Sequence, residues 1–500
     1  IAKILTFKRF LEDSMDFERA RFNMIEQQIR PWEVLDQDVL DLLFVVKREE
    51  FVPADYRRMA FTDMEIPLTV DGKATGEVML APKVEARLLQ ALALRKHESV
   101  LEIGAGCGAM TRYLGECGGN VLALEGSPRR AAIARSRTRD LPNVTVVSDK
   151  FDLFQSDQKF DVITLIGVFE YANLFSIGEN PALSMLERVH SLLKADGKLI
   201  IAIENQFGLK YFAGAPEDHL GKAMYGIECR YREDQPQTYG RAVLQEMLKN
   251  SGFVSAQFMA PFPDYKLPIS IVTEAGFNDD DFDASAFAWQ SVRRDPQMPE
   301  ILNFSPELVW PALVKNKIAL DLSNSFLILS FKQKEDNEPA PVFAWHFSTE
   351  RVKQYCKQTS FARSNNGEIE VRYRSLLPDQ QMPIIGRQLR FSIPEKSEYI
   401  HGKLLSHEFI EVVSRDGWSI EEIGSFFKRY ILIMESVAGS IIGCVGPITA
   451  DTLLPGECFD CLPQNLVWDS SGSWRVIDEE WSLLEPISAA RLLFRASLSL

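Results

Sequence analysis

Three glycines spaced two apart, Gly104, Gly106 and Gly108, follow the run Val100-Leu101-Glu102-Ile103 and lead into a helix-like segment. A buried strand that ends in a glycine turn at a helix N-terminus makes a nucleotide-binding loop, because a side chain there would block close approach of the backbone to the ligand. The next apolar run, Asn120–Leu124, ends at Glu125, placed to accept hydrogen bonds from ribose hydroxyls. A third, Val144–Val147, ends at Ser148 and Asp149, which could meet an adenine amino group. A second constellation lies near the C-terminus. Asp460 and Asn465 stand at the D-x-x-x-x-N spacing of a phosphotransferase catalytic loop, and Asp478 ends the apolar strand Val476-Ile477 thirteen positions further on. There Asp460 would accept a hydroxyl proton, while Asn465 and Asp478 would hold Mg over the phosphates of ATP.

The elements that must position the first set alternate between strand and helix patterns. After the three runs above come Phe160–Ile166, entered by Asp161, then a helix around Leu183–Leu193, then Lys198–Ile203 after the turn Ala195-Asp196-Gly197. This rhythm predicts an α/β fold with a doubly wound, Rossmann-like parallel sheet. Gly108 follows Gly106 by two positions, not the three of a dinucleotide loop, and the context fits S-adenosylmethionine (SAM). The whole series resembles the class I SAM-dependent methyltransferases. That resemblance implies that Glu102, Gly104 and Gly106 line the methionine end of the cofactor, that Glu125 holds the ribose and that Asp149 holds the adenine. Ala105, Gly108, Gly126 and Ser148 complete the expected cofactor site. Asp161 reads equally well as a turn cap.

Two further resemblances meet at the glycine loop. Arg21–Ile29, Arg48–Pro53 and Ala60–Asp63 resemble the N-terminal part of protein-L-isoaspartate O-methyltransferases. Helices are expected from Phe17 to Ile29, ended by Arg30-Pro31, and from Asp36 to Lys47. The family's small hydroxyl residue before a proline is missing from Gly76–Pro82, which speaks against isoaspartyl repair. From Gly106 onward, Cys107–Gly115, Val168–Ala172 and Glu204–Gly214 resemble the methyltransferase domains of bacterial surface-polysaccharide enzymes, notably the bifunctional methyltransferase–kinases that cap O-antigen chains. The polar insert 204–240 is the expected acceptor surface. Glu170, Tyr171, Asn205, Tyr211, Arg230 and Tyr231 are its candidate contacts, since arginine forks match phosphate geometry. His219 reads as structural. Phe253–Phe258 is expected to close the sheet.

The C-terminal constellation, with a hinge-like Tyr399–Leu405, resembles the aminoglycoside-phosphotransferase-like and protein-kinase-like superfamily. The resemblance implies an α+β kinase-like domain. Two of its usual parts are missing: Glu368–Arg374 carries no phosphate-gripping lysine, and 320–350 has no glycine-rich loop.

The 500 residues suggest roughly three domains. The expected division is a helical segment 1–95, a methyltransferase domain 96–275, an acidic linker 276–318 and a kinase-like domain 319–500 with an incomplete C-lobe. The start at Ile1 and the abrupt end after Ala489–Leu500 lead to the expectation of a fragment of something longer. A net charge of −15 argues against nucleic acid as partner. Seven cysteines, with one lone C-x-x-C at Cys458 and Cys461, suit a reducing cytoplasm better than a disulfide or zinc framework. No apolar run is long enough for a membrane helix; peripheral membrane association would come through a missing C-terminal part. The favoured reading is an O-methyltransferase acting on a surface-polysaccharide or phosphorylated sugar acceptor, with a kinase-like domain attached. The alternatives are an isoaspartyl-methyltransferase-like protein and a non-catalytic nucleotide-binding scaffold.

Overall fold

The computed structural model describes residues 17–25, 98–175, 179–266, 268–333, 342–348, 351–364, 366–376, 382–386, 388–442 and 446–500, with residues 47, 49, 52, 54–61, 66–70 and 73–79. At the N-terminus these include α1 (Phe17–Met24) and a hairpin of β1 (Ile66–Val70) and β2 (Lys73–Met79). The expected helix Asp36–Lys47 falls almost wholly outside the described residues, as do Leu80–Pro82.

The central sheet contains β3 (Ser99–Ile103), β4 (Asn120–Glu125), β5 (Val144–Ser148), β6 (Phe160–Ile166), β7 (Leu193–Glu204), β8 (Ser255–Phe262), β9 (Ser270–Thr273), β10 (Ser325–Phe331), β11 (Val342–Ser348), β12 (Lys357–Arg363), β13 (Ile369–Ser375) and β14 (Lys396–Glu398). Their order is β14-β13-β12-β11-β9-β8-β10-β7-β6-β3-β4-β5. Strands β3 to β7 are parallel, and β10 is antiparallel to both β7 and β8. The parallel strands read as continuous apolar runs because helices cover both faces. On one side α2 (Ala109–Glu116) and α3 (Pro128–Arg137) pack over β3, β4 and β5, with Tyr113, Leu114, Ala131 and Ala134 buried. On the other lie α4 (Pro181–Leu192) and α5 (Arg241–Asn250), whose Leu186, Val189, Leu244 and Leu248 join the main core. Asn180 caps α4 by accepting from the Leu183 N–H at 3.2 Å. Asp161 has structural partners. It accepts from the Ser99 N–H at 2.7 Å and pairs with Lys194, tying together the strand entries at the edge opposite the glycine loop.

Two expected boundaries move. Phe253–Phe258 begins β8 but does not close the sheet. The closing strand is β10, inserted between β7 and β8, so the start of the expected kinase-like domain belongs to the methyltransferase sheet. The expected linker 276–318 also folds into the core. Phe277, Phe282, Ala288, Trp289 and Leu313 are buried there, together with Trp310 of α6 (Pro306–Lys315). Its acidic run does carry charge, but each acid has a job: Asp279 and Asp281 hold Arg363, and Asp280 holds Lys317. Phe282 sits between them, against Phe287, Phe343, Phe361 and Tyr399. Trp310 is 2% exposed and meets Phe262 edge-on at 5.2 Å, so Trp310→Ala is expected to cost about 3–5 kcal/mol. The check is a denaturant melt, where a linker tryptophan would leave the midpoint unmoved.

The sheet continues through β11–β14 into the C-terminal part. There β15 (Gly402–Leu404), β16 (Leu466–Asp469) and β17 (Trp474–Val476) form a small sheet beside α7 (Leu405–Val413), α8 (Ile420–Ile442) and α9 (Ala489–Leu498). A separate core of Tyr430, Met434, Phe459, Leu462 and Leu492 holds it together.

Candidate functional site

The glycine loop lies at the C-terminal ends of β3 and β4, where ligands bind in open α/β sheets. Gly104, Gly106 and Gly108 all have positive φ, at 79°, 53° and 78°. The N–H groups of Gly104 and Ala105 both donate to the Leu124 carbonyl, at 2.8 and 3.1 Å, folding the loop back over β4. Gly108 caps α2 in the left-handed conformation, and a Cβ there would meet Ala134 at 2.7 Å. In front of Gly106 the space is open: a Cβ would find nothing within 4 Å.

Glu125, 2% exposed, is the hub of the loop. Its Oε2 accepts from the Gly106 N–H at 2.8 Å; its Oε1 accepts from Ser127 N–H at 2.8 Å and from Arg130 at 2.9 Å. Sequence reasoning anticipated a ribose acceptor but missed Arg130 as its counter-ion. Ser148 is the register partner of Glu125 on β5, and Asp149 follows it, half-buried, accepting from the Lys150 N–H at 2.8 Å. Gly126 is exposed beside them, with no atom within 4 Å of its Cβ direction. Glu102 lies inside β3, and burial pushes its carboxyl up to about 7. Its Oε2 has no hydrogen-bond partner. An open cradle, a buried carboxylate with one oxygen unpartnered and an acid at the second strand tip fit a nucleoside with a cationic amino group.

A second group of polar side chains gathers at the ends of β6 and β7. Glu170 leaves β6 in the turn Phe169–Tyr171, Glu204 is the last residue of β7, and the insert brings His219 to both. His219 Nε2 lies 3.5 Å from Glu170 and 3.9 Å from Glu204, and Nδ1 lies 3.2 Å from Glu217. Tyr171 presents its ring edge-on to the imidazole at 5.3 Å. Burial opposes charge on His219, but Glu170 and Glu217 outweigh it and raise its pKa to about 10. Beside this lies Lys210, fully buried, with Asp218 at 3.3 Å, Asp264 at 3.2 Å and Gln297 at 2.6 Å. The Tyr211 hydroxyl donates to Asp218, and Lys266 bridges Asp218 and Glu204.

The structure therefore divides the expected acceptor contacts. Glu170, Tyr171 and Tyr211 belong to this buried polar cluster, and Tyr231 borders it through Thr238 at 2.7 Å and Glu217 at 3.3 Å. Asn205 does not: it is buried, donating to the carbonyls of Asp321 and Ser323 and accepting from the Phe207 N–H, which pins the insert to the lead-in of β10. Arg230 is exposed and paired with Glu228, away from the pocket. The cations that do face inward, Lys210 and Lys266, are matched by acids. Sequence reasoning missed Glu204 as a pocket residue, although an acid closing the apolar run Leu199–Ile203 carried the same signal as Glu125.

The residues of the C-terminal constellation lie near one another through backbone contacts and one ion pair. Asn465 donates to the Asp460 carbonyl at 3.0 Å, and the Ile477 N–H donates to the Asn465 carbonyl at 2.8 Å. Asp478 follows with φ of 56°. Asp460 Oδ2 accepts from the N–H groups of Glu480 at 3.1 Å and Trp481 at 2.6 Å, and burial pushes its carboxyl up to about 7. A buried lysine does stand one strand before Glu368–Arg374. Lys357, at the head of β12 and 1% exposed, is paired with Asp478 and lies 3.0 Å from Glu480. Its register partner is Ser375 at the far end of β13, so a search of β13 alone misses it. Cys458 and Cys461, both buried, flank Asp460.

A family model described as a methyltransferase domain matches residues 101–199, which run from β3 through most of β7. The protein-L-isoaspartate O-methyltransferase of Koribacter versatilis is 32% identical over 154 residues, covering 30% of this chain and 67% of that protein. The same enzyme of Petrotoga mobilis is 29% identical over 218 residues, 43% of this chain and 96% of the relative. That of Methylorubrum populi is 36% identical over 120 residues, and the chain spans 54% of its length.

Proposed function

Over the stretch it shares with these relatives, the chain belongs to the protein-L-isoaspartate O-methyltransferase family of SAM-dependent methyltransferases, and we propose that it methylates an oxygen of a surface-polysaccharide or phosphorylated sugar acceptor. Bound SAM supplies an electrophilic methyl group. The chain's part is to hold and align it: the Gly104–Gly108 loop cradles the cofactor, Glu102 meets its amino group, and Glu125, Ser148 and Asp149 take the nucleoside. The acceptor enters over Glu170, Tyr171 and Tyr211. Alignment dominates the transfer when the accepting oxygen is already ionised.

The observation that carries the choice of acceptor is the second constellation. Lys357, Asn465 and Asp478 would hold ATP and Mg, and Asp460 would take the acceptor's hydroxyl proton, which makes a phosphorylated sugar the natural product to pass to the methyltransferase. Among the described residues no helix is long and apolar enough to cross a membrane. We place the reaction in the cytoplasm, on a growing polysaccharide end. A second reading, isoaspartyl methylation, is favoured by the length over which the Petrotoga relative matches. The deciding experiment offers methyl-labelled SAM with an isoaspartyl peptide, and with bacterial surface polysaccharide in the presence or absence of ATP and Mg. Label entering polysaccharide only with ATP supports the proposal; label entering the peptide alone overturns it.

The cofactor end makes its own prediction. Pairing with a cationic amino group favours the ionised form of Glu102, whose carboxyl titrates near 7. SAM affinity is therefore expected to rise between pH 6 and pH 8 by about tenfold and then level, since roughly one proton is released on binding. Calorimetry of Glu102→Gln should show weaker binding with that slope removed. A slope unchanged in the variant would take Glu102 out of the site.

A further inference from the structure

The buried polar cluster at the ends of β6 and β7 is acidic beyond what its cations balance. Glu170, Glu204, Glu217, Asp218 and Asp264 surround Lys210, Lys266 and His219, and the lysines are engaged by Asp218, Asp264 and Glu204. Glu170 and Glu204 are 2% and 1% exposed, yet Glu170 Oε2 and Glu204 Oε2 have no hydrogen-bond partner. A buried carboxylate oxygen without a partner costs free energy unless something else occupies its lone pairs.

The side chains around these oxygens could hold a metal ion. Glu170, Glu204 and His219 each offer an atom, all within 4.8 Å of one another, and among the described residues this is a candidate set of metal ligands. Nε2 lies 3.5 Å from Glu170 Oε1 and 3.9 Å from Glu204 Oε2, long for hydrogen bonds but suited to two carboxylates sharing an ion with the imidazole. The outer partners are also in place. His219 Nδ1 faces Glu217 at 3.2 Å, which leaves Nε2 to ligate, and Glu204 Oε1 is contacted by Lys266 and lies 3.4 Å from the Tyr265 hydroxyl. A second carboxylate on the far nitrogen is the usual way a ligating histidine is oriented.

We propose that Glu170, Glu204 and His219 bind a divalent transition-metal ion of the Mn2+ or Zn2+ kind, which takes the acceptor's oxygen at an open position. One imidazole with two carboxylates suits such ions better than Ca2+, which takes all-oxygen shells. The ion would lie next to the cofactor loop: a Cβ on Gly104 would meet Val168, two residues before Glu170, at 2.5 Å. The ion's role toward the acceptor rests on the methyltransferase reading; its binding does not. It would let an acid-rich cluster meet an oxygen-rich or anionic group. A protonated His219 is the competitor, because a proton and a metal want the same Nε2.

The test uses the full chain stripped with a chelator and titrated with Mn2+, following free Mn2+ by electron paramagnetic resonance, then displacing with Zn2+. Asp478→Asn is the background, so that the C-terminal constellation does not contribute. The expected result is a single Mn2+ per chain that survives in this background. Adding Glu217→Gln should weaken it by about 10- to 100-fold, and Glu170→Gln by at least as much. SAM titration of each variant reports its folding, and reports the methyltransferase reading independently. No retained Mn2+ in Asp478→Asn, or unaltered affinity in Glu170→Gln that still binds SAM, overturns the metal site.

Discussion

Gly104→Val is expected to abolish SAM binding at concentrations that saturate the wild type, a loss of at least about a hundredfold by calorimetry. Two costs add. The position has φ of 79°, where an L-residue carries roughly 1–2 kcal/mol of strain, more for a β-branched one. The new Cβ would also lie 2.5 Å from Val168 Cγ2, so either the loop or the Val168 side chain must shift. About 2.7 kcal/mol is a hundredfold in affinity, so the backbone cost reaches it once the clash adds roughly 0.7–1.7 kcal/mol. Gly106→Ala separates cradle from fold. Its φ of 53° falls in the small left-handed region open to other residues, and its Cβ meets no protein atom within 4 Å. The variant should melt within a few degrees of wild type and still lose SAM, because the methyl group would fill the space the cofactor needs. If Gly106→Ala binds SAM normally, the loop does not cradle it. Gly108→Ala should do the reverse of Gly106→Ala and loosen the packing of α2 on α3, since its neighbour at 2.7 Å is the Ala134 backbone.

What was legible in the sequence follows a physical line. Apolar runs ending in glycine or acid mark parallel strands and the ligand edge together, because both faces of such strands are buried and only their tips meet solvent. Val100–Gly108, Asn120–Glu125 and Val144–Asp149 lie where that logic places them. It fails where pairing is non-local. Ser325–Phe331 joins β7 and β8 after a long excursion, and nothing in its own residues says which sheet it enters. The same holds for 276–318, where the charges of Asp279–Asp283 concealed that Phe282 is an anchor between them. In the acceptor pocket, residue type alone proved a poor guide. Arg230 has the chemistry for phosphate but points into solvent beside Glu228, while Lys266, which drew no notice in the sequence, bridges two pocket acids. Asn205 was singled out for its amide, and that amide is spent on backbone.

Lys357→Met is expected to carry the second large effect, because it breaks a buried ion pair by removing one partner. Lys357 is 1% exposed and faces both Asp478 and Glu480. Removing it leaves Glu480 with Arg351 and the Trp481 indole N–H and leaves the part-exposed Asp478 without its lysine, a destabilisation of about 3 kcal/mol, the low end for a buried pair because Asp478 meets solvent. Thermal unfolding reads that loss, but stability by itself does not distinguish a strut from a phosphate site. Asp478→Asn does. It keeps the shape and leaves Lys357 paired with Glu480, so its melting point should fall less than that of Lys357→Met. A ligand that binds only the folded chain stabilises it by about 2.7 kcal/mol at a hundred times its dissociation constant. ATP with Mg should therefore raise the melting point of the wild type and leave Asp478→Asn unmoved. Release of ADP in the presence of a sugar acceptor should vanish in both variants. Equal protection of wild type and Asp478→Asn by ATP would mean that the nucleotide binds elsewhere. The Lys357–Asp478 pair would then be a strut that fastens β12 to the C-terminal hairpin. That outcome would also free the methyltransferase from any need for a phosphorylated acceptor, since the two readings are joined only through this pair.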